Sequence, residues 1–208
     1  LWLGDDLLAP AARLAGGRGL GADPPRAPPG VARRPPDRLV PGGGGQFLVA
    51  GPKRGAHTGP NPTDRARRGS KHHVLTDAQG LPLAVTLTAA NRHDVTELLT
   101  LVDQIPAVAG RPGSPRHRPD RVQGDRAYDS GPHRRELRRR GITPVLARRA
   151  AKHGSGLGTT RWVIERSLSW LHQFRRLRIR WERRADIHQA FLTLGCILIC
   201  FAFVERLL

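Results

Sequence analysis

The chain changes character within a few residues of position 50. Residues 1–45 contain ten Gly and eight Pro, and neither a helical nor an alternating apolar period survives among them. Such a composition cannot bury enough apolar surface to offset chain entropy. Disorder is therefore expected from about Gly16 to Gly45, with room only for a short helix at Asp6–Leu14. From Lys53 onward the pattern is that of a folded protein. The expected organisation is a low-complexity, disordered Pro/Gly/Arg-rich segment at 1–52 and one folded domain at 53–208.

Charge narrows the partners. Lys and Arg number 35 against 17 Asp and Glu, a formal charge of +18 on 208 residues. Only three of the basic residues are Lys (Lys53, Lys71, Lys152). Guanidinium forks bind phosphate bidentately, so a polyanion is the expected partner, and nucleic acid is the commonest one. Two cysteines, Cys196 and Cys200, cannot build a disulfide scaffold or a cysteine zinc site and read as core thiols of an intracellular protein. The opening LWLGDDLLAPAARL has no basic region of the kind a signal peptide carries. The most apolar stretch, Ala190 to Val204, is about 15 residues, short for a membrane span, and reads as a buried terminal helix. Met is absent altogether.

The folded part reads as strands and helices in a definite order. Lys71–Thr88 is two extended runs around Asp77-Ala78-Gln79-Gly80, a hairpin. Asp94, with Glu97 three residues later, stands as the N-cap of a helix over VTELLTLVDQI. A basic Pro/Gly loop at 110–120 leads to a strand at Arg121–Gly124. A helix at Pro132–Arg140 stops at Gly141, and a strand follows at Ile142–Ala147. After a loop at 148–158, a long helix is expected over Thr160–Arg180 and a last one over Asp186–Leu207. The order β-β-α-β-α-β-α-α predicts an α/β sandwich on a mixed sheet.

Three features carry polar chemistry. Asp125 and Asp129 follow the short strand at 121–124, where ligands of open α/β sheets collect, although capping of the next helix accounts for them equally. On the long helix, Arg161, Glu165 and His172 fall within roughly 40° of one another, opposite Val163, Trp170, Phe174 and Leu177. A solvated face with an i,i+4 ion pair explains the same spacing. The cluster Asn91-Arg92-His93-Asp94 is explained by capping and loop hydrogen bonds. Adjacent His72 and His73 point to opposite faces of a strand, cannot chelate one metal, and read as structural. The arginine runs 134–135, 138–140, 175–180 and 183–184 recur on successive helices and read as phosphate contacts.

The segments KRGAHTGPNPTDRARRGSKHHVLTDAQGLPLAVTLTAANRHDVTELL, GDRAYDS and HGSGLGTTRWVIERSLSWLHQFRRLRIRWERRADIH occur in that order. Together they resemble the bacterial insertion-sequence DDE transposases of the insertion-sequence-four/five-like group, from about Lys53 to Leu208. The resemblance implies an RNase H-like fold, a mixed sheet flanked by helices, carrying an Asp-Asp-Glu triad. It implies two Mg²⁺ ions for DNA cleavage and strand transfer, hard cations that suit carboxylate oxygens. Asp125 matches the second Asp of the triad and Glu165 the Glu, both as metal ligands and catalytic residues. Arg161 would contact DNA phosphate, as would Arg175, Arg176 and Arg178. His172 stands where relatives carry Lys. Asn91 and His93 match a family stretch with no role to transfer. The partners implied are the element's terminal inverted repeats and target DNA, with a homodimer as the working assembly. Neither a membrane nor a small-molecule substrate is implied, and the location is the bacterial cytoplasm.

One acid is missing. The first triad Asp belongs eight to ten residues before Lys53, where this sequence reads Gly42-Gly43-Gly44-Gly45-Gln46-Phe47, and no acid occurs between Asp37 and Asp64. The first strand is accordingly expected to be missing or degenerate. A reading of residues 1 to about 52 out of frame would explain the Pro/Gly-rich composition, the missing Asp and the absent Met together. With two of three carboxylates, metal affinity and catalysis should be impaired. The alternative is an inactive fragment that binds DNA or inhibits an intact transposase.

Overall fold

The computed structural model describes residues 41–52, 54–107, 115, 117–148 and 158–205. The expected helix at Asp6–Leu14 and the expected disorder up to residue 40 lie outside the described residues. Residues 41–45, expected to be disordered, belong instead to a ten-residue strand, β1 (Pro41–Ala50), so the first strand is present. Its glycines contribute no side-chain packing, and glycine in a strand costs entropy. Backbone pairing needs no side chain, however, and β1 is paired along both edges. On one side it runs antiparallel to β3 (Arg68–Asp77), from Pro41 opposite Asp77 to Ala50 opposite Gly69. On the other it is parallel to β5 (Arg121–Gly124), with Gly43 opposite Gln123 and Gly44 opposite Gly124.

The hairpin partner of β3 is β4 (Pro82–Ala89), and β6 (Thr143–Leu146) lies parallel to β5. Across the sheet the order is β4, β3, β1, β5, β6, while the two-residue β2 (Gly59–Pro60) pairs with the start of β3. The mixed α/β sheet expected from the sequence is therefore present.

Each face of the sheet has its own core. Alternation along β3 sends Leu75 to one and Val74 to the other. The first core joins Leu75 to Leu98 and Leu101 of α1 (Leu98–Asp103), Val122, Tyr128, and Leu137 of α2 (Gly131–Arg139). The second joins Val74 to Ile164 and Leu171 of α3 (Gly158–Leu171), Leu177 of α4 (Arg175–Arg178), and Leu192, Cys196 and Ile199 of α5 (Ala185–Glu205). Gly141 ends α2 as expected: its φ of +71° lets the amide of Ile142 reach back to the Leu137 carbonyl at 2.8 Å.

Three expectations are corrected. Asp94 does not cap a helix: it opens a 3₁₀ turn (Asp94–Glu97) ahead of α1, and the flanking His93 makes no side-chain cap. The long helix expected over 160–180 breaks after Leu171, because Phe174 is extended (φ −74°, ψ 114°). That break lets Leu171 and Leu177 enter the same core, and Arg178 Nε donates to the freed His172 carbonyl at 2.7 Å. The terminal helix is 21 residues, long and apolar enough by length and composition to cross a membrane. It packs through one stripe only (His188, Leu192, Gly195, Cys196, Ile199), leaving Leu194, Ile197 and Phe201 exposed. Cys196 is buried there as a free thiol, and burial pushes its pKa up to about 12. Cys200, also free, is half-buried.

His72 and His73 do point to opposite faces, and both are buried. His72 Nε2 lies 2.9 Å from His188 Nε2, and His188 Nδ1 lies 2.9 Å from Glu182 Oε2. His73 Nε2 pairs with Thr88 Oγ1 at 2.8 Å. Burial lowers all three histidines, His73 to about 4. The folded state thus holds neutral imidazoles where the unfolded chain takes up protons near pH 6.5, so folding stability falls as the pH drops below that value. His73 alone accounts for a loss of about 3 kcal/mol, complete near pH 4. The thermal midpoint is expected to fall steadily between pH 7 and 4.5, and a His73→Gln variant should show a shallower decline. Equal slopes for the two proteins would show that His73 titrates without cost.

Candidate functional site

Asp125 stands at the carboxyl end of β5, where the chain leaves the sheet in a 3₁₀ turn (Arg126–Tyr128). Its Oδ1 accepts from the Ala127 amide at 2.9 Å, so the carboxylate does cap a turn, but a 3₁₀ turn and not α2. Asp129 instead receives Arg134 Nε at 2.8 Å.

Strand register identifies what lies next to Asp125. Since Gly44 pairs with Gly124 in parallel, the β1 position level with Asp125 is Gly45. Two residues on, and therefore on the same face, the Phe47 ring meets the His172 ring with centroids 3.4 Å apart. His172 follows the last turn of α3, which carries exposed Glu165 and packs along β1. Asp125 and Glu165 are thus held by two elements that both border β1, and the strand between them presents glycine. Among the described residues no three His, Cys, Asp or Glu side chains gather where a metal could be held.

The other expected site residues separate. Arg161 lies one turn before Glu165 in α3. The His172 ring is half-buried, its Nε2 is buried without a partner, and burial together with Arg178 lowers its pKa, so it is neutral at pH 7. Arg176 is tied to Glu182 at 3.1 Å, whereas Arg175 and Arg178 are exposed and have no acidic partner among the described residues. Within the runs read as phosphate contacts, Arg134 pairs with Asp129, Arg139 and Arg140 with Glu136, and Arg184 with Asp186. Arg180 is fully buried.

Two polar arrangements near the site escape a reading by spacing. Tyr128, buried three residues after Asp125, places its hydroxyl 3.4 Å from His73 Nδ1, extending the His73–Thr88 pair toward the end of β5. Burial, with Asp94 and Asp125 nearby, holds the Tyr128 pKa well above its ordinary value. Lys71, on the same face of β3 as His73, meets Asp94 at 2.6 Å, both side chains buried, and also donates to the Arg92 carbonyl. The NRHD cluster is therefore held together largely by Lys71, while Asn91 and His93 are exposed.

The model of a family described as Transposase DDE domain matches residues 45–201, three quarters of the chain. The chain belongs to this family. It is 58% identical over 205 residues to a protein assigned as a transposase for insertion sequence element IS402, from Burkholderia cepacia. That match covers 98% of this chain and 97% of the relative, so it runs through the Pro/Gly-rich first quarter, which is not peculiar to this protein. A transposase for insertion sequence element IS1106, from Neisseria meningitidis serogroup B, is 29% identical over 115 residues, half of this chain and 36% of that one. The family match begins at Gly45, the β1 position beside Asp125. DDE transposases act on DNA and generally use Mg²⁺.

Removing one partner of a buried ion pair strands the other charge. Lys71→Met is expected to destabilise the fold by about 3–5 kcal/mol. The double change Lys71→Met with Asp94→Leu should recover much of that loss, as read by urea denaturation. A single variant as stable as the parent would show that Asp94 finds other solvation.

Proposed function

We propose that this chain is an insertion-sequence transposase by descent that retains DNA binding and is impaired in cleavage and strand transfer. In this reading Asp125 and Glu165 are the second and third members of the Asp-Asp-Glu triad. Arg161, His172, Arg175, Arg176 and Arg178 face the DNA, with Arg175 and Arg178 the cations free of acidic partners. The strand order supports an RNase H-like assignment: three antiparallel strands (β4, β3, β1) are followed by two (β5, β6) parallel to β1. The folded domain would begin with β1, earlier than the seam near 53, and the rest of residues 1–52 would be the product of an altered reading frame. The working assembly would be a homodimer on paired element ends in the bacterial cytoplasm.

The observation that carries this reading is the glycine at the β1 position beside Asp125. Mg²⁺ favours near-octahedral oxygen coordination and dehydrates reluctantly, so each carboxylate counts. Among the described residues no third acid gathers with Asp125 and Glu165 to complete a three-acid set. The same observation favours the second reading, a DNA-binding fragment that occupies element ends and inhibits an intact enzyme.

Restoring the acid separates the two. The full-length chain is expected to bind a terminal-repeat duplex without nicking it in Mg²⁺ or Mn²⁺. Gly45→Asp should introduce metal-dependent nicking, and adding Glu165→Gln should abolish it. Nicking by the parent chain that survives both Asp125→Asn and Glu165→Gln would overturn the site. Binding with no nicking by either Gly43→Asp or Gly45→Asp would favour the inhibitory fragment.

A further inference from the structure

Beyond the end of β1 the chain builds a second basic surface whose parts come from three separate segments. Ile179 bridges Ala50, and the Arg180 amide donates to the Ala50 carbonyl at 2.8 Å, so residues 179–183 run as an extended edge beside the strand end. Burial alternates along that edge: Ile179, Trp181 and Arg183 are exposed, whereas Arg180 is 1% exposed. Trp181 is the most exposed large apolar side chain among the described residues, at 66%.

Among the described residues Arg180 has no acidic partner in an ion pair. Its guanidinium spends its hydrogens on neutral oxygens: the carbonyls of Ala56 (2.8 Å), His57 (3.0 Å), Glu182 (3.0 Å) and Arg183 (3.2 Å), and the hydroxyls of Thr58 (3.1 Å) and Ser70 (2.8 Å). One buried cation thereby fastens the loop at 54–58, the edge at 181–183 and the start of β3 into one body. Gly55 fits against this edge only as glycine: its φ is +138°, and a Cβ would lie 2.5 Å from the Arg183 carbonyl oxygen.

Among the described residues the three non-glycine residues with positive φ, His57, Arg65 and Ala66, all fall in the segment 54–67 at this end of the sheet. Backbone strain is held only where surrounding structure fixes it, and it concentrates at functional surfaces. Arg54, Arg65, Arg67, Arg68 and Arg183 are exposed here, and none has an acidic partner among the described residues. The carboxylate nearest in sequence, Asp64, is exposed in the same loop.

We propose that this latched surface, with Arg54 and Arg183 at its centre and Trp181 as its apolar shoulder, binds the sugar-phosphate backbone of duplex DNA. It rests on the reading of the chain as a DNA-binding transposase and gives that reading a second point of contact. From Gly45, level with Asp125, to Ala50 is five residues of extended chain, about 17 Å. That spans about five phosphates of one strand. A duplex whose scissile phosphate lies at Asp125 would meet this surface in its flank. Arg180 acts as a positioning residue, holding the two loops in register without touching DNA.

The test is the salt dependence of binding of the full-length chain to a 30-base-pair duplex of random sequence, read by fluorescence anisotropy. Arg54→Ala with Arg183→Ala should lower the slope of log K against log salt by about 1.8, two phosphate contacts at roughly 0.9 each. Trp181→Ala should weaken binding and leave the slope unchanged, because no charge is lost. Arg54→Lys with Arg183→Lys, which keeps both charges, should leave the slope unchanged. An unaltered slope in the Arg54→Ala/Arg183→Ala variant, or an equal fall in the lysine variant, overturns this contact and leaves the transposase reading standing. A parent chain that binds no duplex overturns both.

Discussion

The double-sided pairing of β1 is the constraint on which the rest depends. Without it, β3 and β4 would form an isolated hairpin, β5 and β6 a separate parallel pair, and neither would carry the other's core. It also sets the site. Asp125 lies at the sheet's centre because β5 pairs with β1, and α3 brings Glu165 to the same strand because it packs along it. A strand rich in glycine can do this because its hydrogen bonds are made on both edges, and because Val49, further along, is buried. The sheet depends on the strand's backbone, whereas the proposed chemistry would turn on the side chain at position 45.

The interior is unusually polar for a sheet of this size, and the polar groups are arranged as fasteners between elements. Lys71 and Asp94 tie β3 to the turn before α1. Glu182, His188 and His72 link the segment after α4, the start of α5 and β3 in one chain of contacts. Arg180 joins three segments without an acid. Buried polar groups are tolerated only when their hydrogen bonds are made, and each of these fixes a relative position that apolar packing alone leaves free to slide.

Much of the fold could be read from local pattern. The strand at Arg121–Gly124, the turn at Ala78–Gln79 and the stop at Gly141 each follow from residues that admit few alternatives. Pro41–Ala50 could not be read this way, because its pairing partners lie 19 to 80 residues away along the chain and its own composition argues for disorder. The break at Phe174 escaped for a related reason, since the demand that Leu171 and Leu177 share one core outweighs local helical preference. Of the site, Asp125 and Glu165 stood out as carboxylates in motif positions. Arg180 was hidden inside a basic run, because arginine is so rarely buried that only tertiary structure separates the latch from its exposed neighbours.

On the proposed reading, loss of one acid and retention of the basic surface would have separate physical consequences. Phosphate binding is a sum over many cations, each releasing counterions, so it degrades gradually as single residues change. A metal site is a small cooperative set whose affinity collapses when one ligand goes. On that reading a chain with +18 charges and two carboxylates of three would keep nearly all of its attraction to DNA and lose most of its chemistry. It would then compete with an intact relative for the same ends, with an effect that grows with its concentration. Residues such as Arg54 and Arg183 would set how strongly it competes, and the residue at position 45 whether it can also cut.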